Sequence, residues 1–142
     1  MIAAEESQVA EDPMYPSGPW VGFYNYAPGG SRFRQELDIT FRKGRLAGDG
    51  TDTELGSFLV RGGFDPGRQK VWWTKIYPGS HDVYYLGFRE GKGIWGTWEI
   101  PAGPHGGFMI WPKALGEEVG EEAAAEETVE VGASVPAPRP AR

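Results

Sequence analysis

Between positions 52 and 81 the chain offers a carboxylate, an amine, a phenol and an imidazole: Asp52, Lys75, Tyr77 and His81. Gathered in one pocket, an ammonium–carboxylate pair flanked by hydroxyl donors can orient the polar head of a ligand. The same set holds the parts of acid–base catalysis (a decarboxylase, isomerase or cyclase type), with Lys75 or His81 as base and Tyr77 or Tyr85 as proton donor. A third reading uses none of this chemistry and makes the chain an adaptor acting through its charged ends. A buried lysine costs several kcal/mol unless it is paired, so Asp52 is the expected partner of Lys75, directly or through water.

The elements that must position these groups are strands. Apolar alternation with β-branched and aromatic residues returns about every 11–12 residues between Gly and Pro turns, the pattern of an all-β sandwich or barrel. Strands are predicted near 20–26, 34–41, 45–52, 56–64, 69–77, 81–88, 93–100 and 107–111. Pro28, Pro66, Pro78, Pro101, Pro104 and Pro112 all fall between or just after them, where a missing amide donor does no harm. Glycines inside the strands (Gly22, Gly48, Gly50, Gly62, Gly87, Gly96) suit bulges and the sharp coiling of a small closed barrel.

Loop length then fixes which way each strand faces, because paired residues share a face and an even loop pairs odd with even positions. Strand 2 points Leu37, Ile39 and Phe41 inward. Carried through the turns, this parity sends Asp52, Phe58, Val60, Trp73, Lys75, Tyr77, His81, Tyr85 and Trp98 inward as well. The weak point is strands 5 and 6, whose opposite faces (Trp72, Thr74, Ile76; Tyr84, Leu86, Phe88) are as apolar. Strand direction places Tyr24, Tyr26, Asp52, Lys75, Tyr77 and His81 at a polar mouth, and Trp20, Phe41, Leu46 and Phe64 at an apolar base. The expected fold is an eight-stranded antiparallel up-and-down β-barrel, whose interior either packs solid or holds one small ligand. Its expected ligand-binding set is Tyr24, Tyr26, Asp52, Trp73, Lys75, Tyr77, His81, Tyr85 and Trp98.

Gly18-Pro19-Trp20 resembles the Gly-x-Trp that opens the first strand of calycin-type barrels, the lipocalin and avidin families, where the tryptophan closes the barrel base. That resemblance implies a calycin-like barrel over residues 18–112. It does not extend to biotin, since avidins carry an asparagine two residues after this tryptophan and here the position is Gly22. Trp20-x-Gly22-x-Tyr24 is also similar to the start of calycin-like peptide-binding modules in some F-box proteins, which implies a peptide end as one ligand class.

The 142 residues allow one domain, and 18 of the 19 aromatic residues lie between Trp20 and Trp111, so that stretch holds the core. The net charge of −6 is uneven: acids crowd residues 1–12 and 116–142, while residues 13–115 carry 12 basic and nine acidic side chains. Residues 1–16 and 116–142 are expected as disordered acidic tails around a barrel domain of 17–115. Arg42, Lys43, Arg45, Arg68, Arg89 and Lys92 gather in the base turns, a surface for an acidic protein partner or for the tails themselves. Nucleic acid is disfavoured by the acidic balance and by the lack of a basic, aromatic-faced motif. Without cysteine, a secretory leader or a membrane-length apolar run, the expectation is a cytoplasmic protein that uses no membrane.

Other motifs fail on geometry. Neighbours in Ser80-His81-Asp82 should point to opposite faces, and the glycine pattern from Gly91 to Gly96 leads into a strand, not a helix. Two histidines, His81 and His105, without cysteine offer no structural zinc site, and no cofactor is expected.

Overall fold

A computed structural model describes residues 12–116, which form eight strands: β1 (Gly18–Asn25), β2 (Phe33–Arg42), β3 (Arg45–Asp52), β4 (Gly56–Asp65), β5 (Lys70–Ile76), β6 (Asp82–Glu90), β7 (Gly93–Glu99) and β8 (His105–Pro112). Each pairs antiparallel with the next, and β8 returns to β1, closing an up-and-down barrel. Closure removes the exposed edges that an open meander would carry. The expected acidic tails fall mostly on residues 1–11 and 117–142, outside the described residues. Of the expected arm 1–16, Tyr15 is buried at the barrel base beside Phe41 and Phe64, and the Met14 and Pro16 carbonyls accept from Arg89 and Trp20, while the side chains of Pro13 and Met14 stay exposed.

Hairpin parity holds around the whole barrel. Arg42 pairs with Arg45 across Lys43 and Gly44, both at positive φ, the geometry of a two-residue turn that matches strand twist. Asp65 pairs with Lys70 and Glu90 with Gly93, each two positions along in summed register from a pairing at the predicted strand ends. Such a slide by two leaves every side chain on the predicted face. Phe58, Val60, Phe64, Val71, Trp73, Lys75, Tyr77, Val83, Tyr85, Ile94 and Trp98 are all buried, whereas Trp72 and Tyr84 on the opposite faces are exposed.

Bulges, by contrast, are absent from the register between these strands, which runs without interruption through every inward glycine. The glycines serve close approach instead. A Cβ on Gly62 would lie 2.0 Å from the Trp72 carbonyl oxygen and 2.5 Å from Trp73 Cα. At Gly96 it would lie 2.1 Å from the Leu86 carbonyl oxygen. Walls that close together leave the centre to large rings: Trp73 stacks on Tyr85 with centroids 5.0 Å apart and meets Phe108 edge-on at 5.2 Å.

The base is sealed by a buried cation that the sequence placed in the surface patch. Arg89 continues the inward parity of β6 and is buried. It donates from Nε to the Met14 carbonyl (2.6 Å) and from Nη1 to those of Gly91 (2.8 Å) and Gly93 (3.2 Å). Arg42, Lys43, Arg45, Arg68 and Lys92 remain exposed at that end. A second apolar cluster, Val21, Phe23, Met109 and Trp111 with Trp95 packed on it, lies on the outward face of β1, β8 and β7. No helix among the described residues is long and apolar enough to cross a membrane.

Candidate functional site

Lys75 sits on β5 with its side chain inside the barrel and only 1% of its surface exposed. Its Nζ lies 3.2 Å from Asp52 Oδ2 and donates to Gln35 Oε1 (3.1 Å) and the Tyr85 hydroxyl (3.4 Å). Four rings surround the same ammonium: Phe58 at 4.3 Å, Tyr24 at 4.5 Å, Tyr77 at 5.3 Å and Tyr85 at 5.5 Å from Nζ to centroid. Each adds ring-quadrupole attraction where water is excluded. All three protons of the amine therefore have an acceptor, and the cation is held on every side.

Asp52 is fixed by the loop that follows it. As the last residue of β3, it accepts backbone N–H groups of Glu54 (3.0 Å) and Leu55 (2.6 Å) on Oδ1, and the Tyr77 hydroxyl on Oδ2. An aspartate capping its own turn in this way is a frequent local solution. Burial alone would raise its pKa, but the Leu55 amide, the Tyr77 hydroxyl and the Lys75 charge together hold it below 3.8. For Lys75 burial wins over the attraction of Asp52, pulling its pKa from 10.5 to about 8.

The rim above this pair is phenolic. Tyr24 donates to Glu54 Oε1 (2.7 Å), and Tyr26 donates to both oxygens of the same carboxylate (3.0 and 3.2 Å). Burial first, then hydrogen bonding to a carboxylate, pushes the hydroxyls of Tyr24 and Tyr77 well up and that of Tyr26 to about 12. Burial likewise raises Tyr85.

Of the nine expected residues, seven are buried inward: Tyr24, Asp52, Trp73, Lys75, Tyr77, Tyr85 and Trp98. Tyr26 is not, being 43% exposed, because β1 ends at Asn25 and releases it to the rim. His81 is half-buried beside Tyr77, ring centroids 5.0 Å apart, and contacts Ser80 Oγ through Nδ1 at 2.8 Å. Ser80 and His81 thus touch, against the opposite-face expectation, since both lie in the turn between β5 and β6 and not on a strand. Asp82 begins β6 facing outward and is exposed, so no three-residue relay forms.

Three participants were not read from the sequence. Gln35 is 1% exposed and bonded to Lys75; the odd parity of β2 points it inward with Leu37, so the signal was present. Phe58 was assigned to the interior but not to the ammonium. Glu54 lies in an exposed loop, where no periodicity marks a carboxylate reaching over a rim. Five buried side-chain groups have no hydrogen-bond partner within 3.5 Å among the described residues: Tyr15 Oη, Asn25 Nδ2, Gln35 Nε2, Trp73 Nε1 and Trp111 Nε1. Gln35 and Trp73 both lie inside the barrel beside Tyr85, and Gln35 is near enough to the Tyr85 hydroxyl to oppose the rise of its pKa. Buried donors are paired in the great majority of cases.

A concavity of about 460 Å³ lies elsewhere, on the outer wall of β1–β4, lined among others by Glu36, Asp38, Asp49, Leu59 and Pro78. Phe58 borders it, whereas Lys75, Tyr77 and Tyr85 do not. Among the described residues no three His, Asp or Glu side chains are grouped to hold a metal ion. Comparison with known proteins finds no matching family model, no matching curated protein and no matching solved structure.

Proposed function

We propose that the protein is a noncatalytic binding module with a calycin-like barrel, whose mouth takes the oxygen-bearing end of a small molecule or of a peptide. The observation that carries this reading is the surplus of buried donors around Tyr85. Trp73 Nε1 has no acceptor among the described residues and Gln35 Nε2 has at best a long contact to the Tyr85 hydroxyl, while the carboxylate oxygens of Asp52 already accept from Lys75, Tyr77 and the Glu54 and Leu55 amides. A group that brings acceptors, such as a carboxylate, a carboxamide or a carbonyl, matches what these donors lack. Rings of Trp73, Tyr85, Trp98 and Tyr24 supply the apolar or planar contact beside it.

Acid–base catalysis has one supporting observation, the lowered pKa of Lys75. Against it, a general base must reach a substrate proton, and every proton of this amine is engaged inside the barrel. Native mass spectrometry of freshly purified full-length chain tests the binding reading. A mass above that of the polypeptide, lost on denaturation and absent in Gln35→Leu, supports it. A bare polypeptide mass, with no thermal stabilisation by a panel of carboxylates, carboxamides and free peptide ends, rejects it.

A further inference from the structure

Both faces of β5 and β6 are apolar, and the barrel interior uses only one of them. On the other, Trp72 is 41% and Tyr84 45% exposed, with Ile76, Leu86 and Phe88 partly exposed around them and Leu59 on β4 at 45%. Contiguous exposed apolar surface of this kind marks a contact with another molecule. The Trp72 ring lies against Gly63, where a Cβ would come within 2.7 Å of it, so the glycine makes room for the indole on this wall.

The pairing register shows what such a wall fits. One row across four strands reads Arg61, Thr74, Tyr84, Glu99, each residue paired with the next. A cation stands at one end of the row, an anion at the other, and the apolar patch lies between them. We propose that this wall is the contact between two copies of the chain, related by a two-fold axis lying in the contact plane and running along the strands between β5 and β6. Such an axis sets Arg61 of one copy opposite Glu99 of the other, and the reverse, at the same height. It also sets Trp72 of each copy opposite Leu86 of its mate, because these two occupy the next row on either side of the axis. A two-fold contact requires a surface complementary to itself, and a row with opposite charges at its two ends meets that requirement where a row of like charges would not. The long side chains of Arg61 and Glu99 reach forward from the outer strands, where the barrel curves away. Glu99 also engages within its own chain, which leaves lone pairs for a second donor.

Sedimentation velocity of the full-length chain at about 50 µM reads the state of association, and circular dichroism checks the fold of each variant. The expected result is a dimer for the wild type and a monomer for Leu86→Glu. Arg61→Glu and Glu99→Arg should each weaken the dimer by roughly ten-fold or more, since each places like charges opposite one another, and the double reversal should restore it. A wild-type monomer at that concentration overturns the proposal, as does a dimer insensitive to Leu86→Glu. A dimer that Leu86→Glu breaks but both reversals leave intact overturns the two-fold arrangement drawn here.

Discussion

Lys75 on β5 reaches past β4 to place its ammonium 3.2 Å from the carboxylate of Asp52 on β3, with both side chains almost wholly out of water. The two partners are not equally dependent on each other. Asp52 keeps two backbone amides and the Tyr77 hydroxyl if the lysine is removed, whereas Lys75 without Asp52 retains two neutral acceptors and four rings. Asp52→Asn should therefore cost roughly 3–5 kcal/mol of stability and Lys75→Met roughly 1–3 kcal/mol, with the double variant less destabilised than the sum. Urea denaturation of the four proteins measures this; equal costs for the two single changes would contradict the asymmetry.

Alkaline pH should first stabilise and then destabilise the fold. Lys75 holds its proton only to about pH 8 when folded but to its ordinary 10.5 when unfolded, so between those values the unfolded chain binds more protons and stability rises with pH. Tyr15, Tyr24, Tyr26, Tyr77 and Tyr85 are all raised above 10.0, so beyond that pH the folded chain binds more protons and stability falls. Unfolding free energies from urea denaturation across a pH series should rise from pH 8 by on the order of 1–2 kcal/mol, pass a maximum at about pH 10, and lose the rise in Lys75→Met. At the acid end, the contribution of Asp52 is lost as the pH falls below 3.8 and through its lower folded value.

Gly96→Ala should cost about 3 kcal/mol or more, because the new methyl would meet Leu86 backbone at 2.1 Å and Gly87 Cα at 2.5 Å with no room to relax between paired strands. Gly67→Ala provides the control, since the nearest atom there is Asp65 Oδ1 at an ordinary 3.5 Å. Thermal melts that rank the two changes equally would refute the close-approach account of the inward glycines.

Arg89→Ala should open the base. The change leaves the Met14, Gly91 and Gly93 carbonyls without their buried donor and empties the space under Tyr15, at roughly 2–4 kcal/mol. Hydrogen exchange at the Tyr15 amide, which donates to the Asp12 carbonyl, should accelerate well before exchange at β2 or β3. Unchanged protection at Tyr15 would show that the arginine does not hold this segment down.

Loop parity carried most of the fold. It sorts β5 correctly, where hydrophobicity alone would equally turn Trp72 and Ile76 inward, and so brings Lys75, Tyr77 and Asp52 together. It failed where the strand ends: Tyr26 lies one residue past β1, and Ser80 and His81 lie in a turn, so alternation no longer governs their direction. Arg89 fell in a base turn because strand 6 is predicted to end at residue 88, whereas β6 runs to Glu90 and the odd series that buries Val83 and Tyr85 continues to it. Glu54 had no legible signal, for its role depends on a loop folding back over Tyr24 and Tyr26.

The binding reading rests on the unpartnered Trp73 Nε1 and the weakly held Gln35 Nε2, and nitrogen-15 NMR observes both directly. Titrating labelled protein with formate, acetate, acetamide and short peptides with free or amidated ends, we expect a saturable downfield shift of the Trp73 indole proton with at least one of them, abolished in Gln35→Leu. Indole and side-chain amide resonances that stay fixed throughout, in a protein still folded, would contradict a ligand site inside the mouth.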